Sequence, residues 1–304
     1  EEVLIPPLSF VATANAVSHL GATPHFIDVE KESLGICSVA LEKRLKDIAI
    51  KKNGQVLNKE TGKRIAAIVP VHVFGNPADL PSLLKISKEW GIPIVEDAAE
   101  ALGSWCNISK SKIHCGLMGD IGVISFNGNK LITTGGGGVL ITNNEKLANK
   151  LRHLSTTAKV QHKWEFDHDQ LGWNDRLPNL NAALGFAQLE VLEKRLLSKK
   201  KLFELYKKNF NEISEIEFVE SKKNSISNNW LVTIAFKIND FSKLKDERFE
   251  LLNEAHKLHL LLRPIWKPLH KLDFYNNAPR GHLNCTEDQE YRIINLPSSP
   301  QLLK

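Results

Sequence analysis

The chain has 304 residues, of which 42% are hydrophobic and 25% charged, and its formal net charge at pH 7 is +5. This composition is typical of globular proteins and excludes a disordered or fibrous chain, and the length predicts one large domain with a smaller one. The Lys residues are scattered along the chain rather than gathered in one basic block, so nucleic-acid binding is not implied.

The sequence shows no membrane or secretory signal. No stretch reaches the roughly 18 to 20 apolar residues of a membrane helix, and the opening segment EEVLIPPLSF lacks the residue order of a signal peptide. The four cysteines form no CxxC pair, which argues against a zinc cage or a disulfide framework. We therefore expect a soluble, cytoplasmic protein with no metal site.

Predicted strands and amphipathic stretches alternate in the first half of the chain. The apolar run at residues 66–71 predicts a strand, Asp79 caps a helix whose apolar positions recur at helical spacing, and Gly91 ends that helix. Residues 92–95 predict the next strand. This order of elements predicts a βαβ unit and a parallel sheet, and hence an α/β domain.

Two more predicted strands, 122–126 and 138–142, flank a loop that contains Lys130 and four consecutive glycines. A helical pattern then covers 179–208. The remainder predicts a small α+β domain with a strand at 230–236, a helix at 243–258 and a strand at 260–265. The predicted division is a large domain at 1–178, a long connecting helix at 179–208 and a small C-terminal domain at 209–304.

Three polar residues are expected at one edge of the predicted sheet. Asp97 follows a buried strand, Ser125 ends another, and Lys130 lies five residues further on. Ligands of open α/β sheets bind outside the carboxyl ends of the strands, and a desolvated Lys can form a Schiff base with a carbonyl. Taken singly, Asp97 also fits an N-cap or ion pair, Lys130 an exposed loop residue, and the glycines at 135–138 an ordinary turn.

Three segments together resemble a known family. VEDAAEALGS, GDIGVISFNGNKLITTGGGGVLIT and GWNDRLPNLNAALGFAQLEVLEKR stand in the order seen in the DegT/DnrJ/EryC1/StrS family of pyridoxal-phosphate sugar aminotransferases. The resemblance covers almost the whole chain and is strongest to the branch that aminates UDP-4-keto-6-deoxy-N-acetylglucosamine. It implies the aspartate-aminotransferase fold, PLP fold type I, with a mostly parallel sheet in the large domain, and a homodimer.

The resemblance also implies roles for individual residues. Lys130 would hold pyridoxal phosphate through a Schiff base and would serve as general acid and base. Asp97 would pair with the pyridine nitrogen, so that the ring acts as an electron sink. Glu100 would lie near the ring and its phenolic oxygen, and Ser125 would bind the cofactor phosphate.

Other positions implied by the resemblance match the family pattern less closely. Phe10 matches an aromatic residue that stacks on the pyridine face, although an aromatic in this setting is usually core. Asn174 matches a residue that reaches the partner's cofactor phosphate, but Trp173 and Asp175 stand where tyrosines are common. His72 matches a family position at a strand end, and we interpret it as structural.

The front of the chain departs from the family pattern. Family members carry, before the position of Leu4, a Ser-Gly-Thr-Ala loop that holds the cofactor phosphate at a helix N-terminus, and this chain begins at Glu1 without it. We therefore expect an N-terminally incomplete version of an active enzyme. The alternative is a catalytically impaired relative that binds cofactor or sugar.

The expected activity moves an amino group from glutamate to C4 of a nucleotide-linked 4-keto-6-deoxy sugar, with a UDP-linked acceptor. Arg176, Arg263 and Lys267 are weak candidates for contacts with the diphosphate. A dehydratase of the same superfamily would have His in place of Lys130. A plain α/β scaffold would leave the grouping of Asp97, Ser125 and Lys130 as coincidence.

Overall fold

The structure is a computed structural model that describes residues 1–108 and 111–303. A mostly parallel sheet is the main feature of the first half of the protein. The helices here are α1 (Ala12–His19), α2 (Ser38–Ile48), α3 (Leu80–Trp90) and α4 (Glu145–Leu154). The strands are β1 (Glu2–Ile5), β2 (Thr23–Phe26), β3 (Ala49–Lys52), β4 (Gln55–Asn58), β5 (Ile65–Ile68), β6 (Val95–Asp97), β7 (Trp105–Ile108), β8 (Ser111–His114), β9 (Ile121–Ser125) and β10 (Gly138–Ile141).

The central sheet consists of two three-stranded parts. Their strand orders are β2-β1-β5 and β10-β9-β6, and parallel bridges from Ile68 to Ile94 and from Val71 to Asp97 join them. The pairs of β1 with β2 and β5, and of β6 with β9, are parallel, whereas β10 runs antiparallel to β9. The predicted βαβ unit is confirmed as β5, α3 and β6, although β6 begins at Val95, where the predicted strand 92–95 ends.

Local signals explain why α3 begins and ends where it does. The Asp79 side chain accepts a hydrogen bond from the backbone N of Ser82, and Gly91 adopts the left-handed conformation that closes the C-terminus. Leu80, Leu83 and Ile86 are buried in the core beneath the sheet. Each such side chain contributes about 1.5–3 kcal/mol of hydrophobic stabilisation, so this face fixes the helix on the sheet.

The second half of the chain carries the remaining elements. Its helices are α5 (Asn179–Leu189), α6 (Leu192–Asn209), α7 (Phe241–Lys257) and α8 (Asn284–Arg292). Its strands are β11 (Ile216–Phe218), β12 (Ser225–Ile226), β13 (Val232–Phe236), β14 (Arg263–Pro264) and β15 (Ile293–Leu296). Four of these strands form a sheet of order β11-β13-β15-β14, whose described pairs are all antiparallel.

The structure corrects the prediction of one long helix over 179–208. α5 and α6 are separate, and Val191 between them leaves helical geometry with φ −108° and ψ 9°. The Gln188 side chain bonds to the backbone N and O of Thr133, while Arg195 donates to the carbonyl of Leu131. Both helices are thus tied to the loop of Lys130, and these tertiary bonds override the continuous helical periodicity.

The predicted strand at 260–265 is shorter in the structure, where only Arg263–Pro264 pairs with β15. Pro264 has no N–H to donate, which limits it to the edge position it occupies. The predicted strand at 230–236 and helix at 243–258 are confirmed as β13 and α7.

Two segments of the second half pack against the first half. β12 pairs with β7, and Leu269, Tyr275 and Leu283 share a buried cluster with Ile5 and Phe26. The exact division into domains stays a prediction. Throughout the described part of the chain, the helices are too short or too polar to cross a membrane.

Candidate active site

A cavity of about 850 Å³ opens at the carboxyl ends of β6 and β9. Asp97 ends β6, Ser125 ends β9, and Phe10 lies in the turn after β1. All three side chains line the cavity together with Lys130 and Glu100. The structure therefore brings together five of the six site residues predicted from the sequence, at the sheet edge where they were expected.

Lys130 is not an exposed loop lysine. Its side chain is only 12% exposed, and its Nζ lies 3.2 Å from Oε1 of Glu100. On another side the amine faces the ring of Trp230, at 4.1 Å from the ring centroid. The carboxyl of Glu100 and the indole face together hold this amine in a defined place in the cavity.

Glu100 is buried at the base of the site. Its Oε2 accepts a hydrogen bond of 2.8 Å from the backbone N of Phe74. Burial raises the pKa of Glu100 from 4.5 to about 7, against the opposing effects of Lys130 and the Phe74 hydrogen bond. Near neutral pH this carboxyl is therefore partly protonated.

Asp97 is held by two hydrogen bonds. Its Oδ2 accepts from Oγ1 of Thr13 at 2.6 Å, and its Oδ1 accepts from the backbone N of Ala99 at 3.1 Å. Residues 98–104 form turns rather than a helix, so the N-cap interpretation does not apply. The carboxylate lines the cavity with capacity for a further donor.

Aromatic rings form part of the cavity wall. Phe10 is 54% exposed and lies 6.4 Å from Trp266 between ring centroids, so it is not a core residue. Trp266 in turn packs on Phe74 at 4.8 Å. Ser125 also lines the cavity, and its Oγ accepts a hydrogen bond from the backbone N of Asn127. An exposed ring at this position is available for stacking on a planar ligand.

The glycine run has a conformational reason. Gly137 lines the cavity and has φ +92°, a conformation that residues with a side chain rarely adopt. A Cβ at Gly138 would lie 2.5 Å from the carbonyl oxygen of Ile124. These glycines therefore shape the entrance to β10 beside the cavity, which goes beyond an ordinary flexible turn.

Asn174 does not line this cavity in the single chain. It is exposed and forms a bridge with Thr156 in the segment that follows α4. Arg176 lines a separate cavity of about 1000 Å³ together with Arg152, Lys159 and Lys163. The predicted reach of Asn174 into a partner subunit stays a prediction.

The other weak candidates are exposed. Arg263 lies on edge strand β14, and Lys267 follows Trp266 of the cavity wall. His72 is fully buried: its Nδ1 accepts from the backbone N of Ala78 at 3.0 Å, and its Nε2 lies 3.0 Å from Glu96. Both ring nitrogens are satisfied, in agreement with the structural interpretation of His72.

Sequence reasoning missed Trp230, Trp266 and Thr13. Trp230 stands 100 positions after Lys130, and its sequence context predicts only a strand over 230–236. In the structure β13 begins later, at Val232. The side chain of Thr13 lies on α1, far from Asp97 in the chain. No local pattern pairs residues at such separations, so these contacts become visible only in the fold.

The side chains of this cavity suit the cofactor that the resemblance implies. An amine, a carboxylate and hydroxyl groups converge on one cavity with apolar and aromatic walls. Lys130 could bind an aldehyde carbon, Asp97 a protonated ring nitrogen, and Ser125 a phosphate oxygen. The residues present therefore fit pyridoxal phosphate.

Comparison with known proteins agrees with this assignment. A GDP-perosamine synthase of Escherichia coli O157:H7 is 32% identical over 302 residues, which cover 99% of this chain and 75% of the relative. A UDP-4-amino-4,6-dideoxy-N-acetyl-beta-L-altrosamine transaminase of Campylobacter jejuni is 31% identical over 274 residues, covering 90% and 67%. The crystal structure of a DegT DnrJ EryC1 StrS aminotransferase from Brucella abortus superposes with a TM-score of 0.84 at 26% identity, covering 99% of this chain and 75% of that one.

These findings confirm the predicted PLP fold type I. The family model of the DegT/DnrJ/EryC1/StrS aminotransferases matches residues 1–304. The chain therefore belongs to the DegT/DnrJ/EryC1/StrS aminotransferase family, whose cofactor is pyridoxal phosphate.

Proposed function

We propose that this protein transfers an amino group from glutamate to C4 of a nucleotide-linked 4-keto-6-deoxy sugar, with a UDP-linked N-acetyl sugar as the acceptor. The observation that carries the proposal is the placement of the Lys130 amine beside Glu100, in the same cavity that Asp97 and Ser125 line. The exchange converts glutamate to 2-oxoglutarate and the sugar ketone to an amine, so the atoms balance without a further reactant.

Two relatives support the substrate class but differ in the nucleotide. The name of the Campylobacter jejuni relative specifies a UDP-linked N-acetyl aminosugar, and that of the Escherichia coli relative a GDP-linked sugar. Both are nucleotide-linked amino sugars. We favour UDP because the SFNGNK segment with its following glycines resembles that branch, and GDP is the outcome against which it must be tested.

The chain's own residues account for the proton transfers. Pyridoxal phosphate, when bound, supplies an electron sink for the carbanion formed at the reacting carbon. Lys130 Nζ would take the proton from Cα of glutamate and, in the second half-reaction, deliver one to C4 of the sugar. Asp97 would keep the ring nitrogen protonated. Glu100, 3.2 Å from Nζ and with a pKa of about 7, can exchange a proton with Lys130.

We also propose that the active form is a homodimer in the cytoplasm. The segment after α4 and helix α5 expose large apolar side chains, which a second copy would cover. They include Trp164, Phe166, Leu171, Leu180 and Phe186. In such a dimer Asn174 could reach the cofactor phosphate of the partner. Replacement of Leu180 by Glu is expected to yield monomers in sedimentation experiments, with loss of activity.

The first test is the visible absorption of the protein with added pyridoxal phosphate. An imine band should form in the wild type and bleach when glutamate is added, and Lys130→Ala should abolish the band. Lys112→Ala is the matched control, since Lys112 also faces an indole ring, that of Trp105, but away from the cavity. The pyridoxamine form is then supplied with UDP-linked and GDP-linked 4-keto-6-deoxy sugars.

Each outcome of this test supports or overturns a stated part of the proposal. Amination of the UDP-linked sugar alone supports the full proposal, and amination of the GDP-linked sugar alone overturns the acceptor while keeping the reaction type. A folded protein that binds pyridoxal phosphate without forming the band would favour the alternative, a catalytically impaired relative that binds cofactor or sugar. A band that persists in Lys130→Ala would refute the role of Lys130.

A further inference from the structure

We propose that Trp230 is the positioning residue for Lys130: its indole face confines the charged amine opposite Glu100 and keeps it directed into the cavity. This inference rests on the role of Lys130 in the proposed function. It adds a residue from the second half of the chain, outside the three segments that carry the family resemblance.

Trp230 contacts Lys130 in two ways. The Nζ atom lies 4.1 Å from the centroid of the indole ring, within the distance of a cation–π interaction. The indole Nε1 donates a hydrogen bond of 3.0 Å to the backbone carbonyl of Asn129, the residue before Lys130. One side chain thus fixes both the amine and the backbone that carries it.

Trp230 is itself firmly held. The residue is only 7% exposed. Its backbone carbonyl accepts a hydrogen bond of 2.5 Å from Nζ of Lys199 on α6, and its backbone N donates at 2.8 Å to Oδ1 of Asn228. These bonds fix the backbone of Trp230, and the Nε1 bond to Asn129 fixes its ring, which cannot turn away from the amine without breaking that bond.

Asn228, which accepts the hydrogen bond from the backbone N of Trp230, also bonds to Glu100, the other residue that contacts the Lys130 amine. The Nδ2 of Asn228 donates to the backbone carbonyl of Glu100 at 2.8 Å and to that of Leu102 at 2.9 Å. Asn228 is therefore bonded to both residues that contact the Lys130 amine. Asn228 thus ties together the two backbone positions that carry the ring and the carboxyl in contact with the amine.

The charges around Lys130 show why an aromatic face is useful here. Glu100 and Asp97 line the main cavity, whereas Arg195 and Lys199 line a cleft of about 520 Å³ on the α6 side. Lys130 and Trp230 line both spaces, so the indole ring is an uncharged surface beside the amine between an acidic and a basic lining. Its removal should free the amine to leave its place opposite Glu100 and to react about tenfold faster with a small reagent from solution, the scale of a desolvated cation–π contact.

The test uses the cofactor-free protein and the variants Trp230→Phe and Trp230→Leu. Lys130 is labelled with acetic anhydride across a pH series, and its modified peptide is quantified by mass spectrometry. The labelling rates of wild type and variants are compared at the same pH, and an amine held against the indole ring must leave it to react, so the rate reports how firmly the ring holds the amine. We expect this rate to rise in the order Trp, Phe, Leu, by about tenfold for Leu, the scale of a desolvated cation–π contact.

Trp105→Leu is the matched control. Trp105 faces Lys112 at 4.6 Å and does not line the cavity, so its loss should change the labelling of Lys112 and leave that of Lys130 unchanged. In the loaded enzyme, Trp230→Leu should lower kcat with little change in KM for glutamate. If Trp230→Leu does not fold, Trp230→Phe decides.

An unchanged labelling rate for Lys130 in a folded Trp230 variant would overturn the positioning role, even if the imine band still requires Lys130. Conversely, a raised labelling rate in a protein whose band does not need Lys130 would leave the contact intact and refute the proposed function instead. The two failures are therefore distinguishable.

Discussion

Replacement of Glu100 by Gln should remove a specific pH dependence of folding stability. In the folded protein burial raises the pKa of Glu100 from 4.5 to about 7, whereas in the unfolded chain the carboxyl regains its ordinary pKa of 4.5. Between these two values the folded state binds more protons than the unfolded state. The free energy of unfolding therefore falls as pH rises through this window.

The magnitude follows from the two pKa values. Each unit of difference corresponds to about 1.4 kcal/mol, so the wild type should lose about 3 kcal/mol of stability between pH 4.5 and pH 7 through this group. Glu100 is 7% exposed, so solvent screening takes little from this value. Gln cannot ionise, and the stability of Glu100→Gln should lack this decline.

Urea unfolding of both cofactor-free proteins at pH 5, 6, 7 and 8 measures the effect. Other titrating groups, such as Glu2, are present in both proteins and cancel in the difference. The variant should become more stable relative to wild type as pH rises to 7, and the difference should then level off. A difference that stays constant over pH 5 to 8 would show that Glu100 titrates normally and would refute the reasoning.

Three further predictions concern stability and catalysis. Burial lowers the pKa of Lys199 to about 8, so the wild type should gain about 3 kcal/mol of stability as pH rises from 8 to 10.5, and Lys199→Met should lack that gain in urea unfolding. Glu2 is buried, but its hydrogen bonds to His25, Asn58 and Thr61 hold its pKa at about 2. The stability from Glu2 is lost as pH falls from 4.5 to 2, so Glu2→Gln should lower the free energy of unfolding by about 3 kcal/mol at pH 7 and much less near pH 2. Asp97→Asn should lower kcat by about 100-fold or more with a thermal midpoint near that of wild type, because its charge acts on the cofactor ring rather than on the core.

Much of the first half could be predicted from the sequence because its signals are local. Asp79 and Gly91 mark the two ends of α3, and the apolar runs on either side form neighbouring parallel strands. Residues at the ends of such strands must meet at one edge of the sheet. The shared cavity of Asp97 and Ser125 therefore followed from strand order alone.

The remainder depends on contacts between distant segments. The break between α5 and α6 arises where Gln188 and Arg195 bond to the loop of Lys130, although the helical periodicity continues through it. The charge state of Glu100 depends on its burial beside Phe74, which composition and spacing do not reveal. Asn174 lies outside the cavity of its own chain, so the role proposed for it requires a second copy.

The chemistry of Lys130 is thus set by three parts of the chain rather than by its own loop. Glu100 follows the end of β6, and Trp230 lies in the segment after β12; both contact the Lys130 amine. Lys199 lies on α6 and donates a hydrogen bond to the carbonyl of Trp230. Because β12 pairs with β7, docking of the second half onto the first is what completes the surroundings of the amine. A family motif identifies the lysine, but residues outside that motif form the surroundings of its amine in the folded protein. Substitutions at those residues should therefore change the reactivity of Lys130.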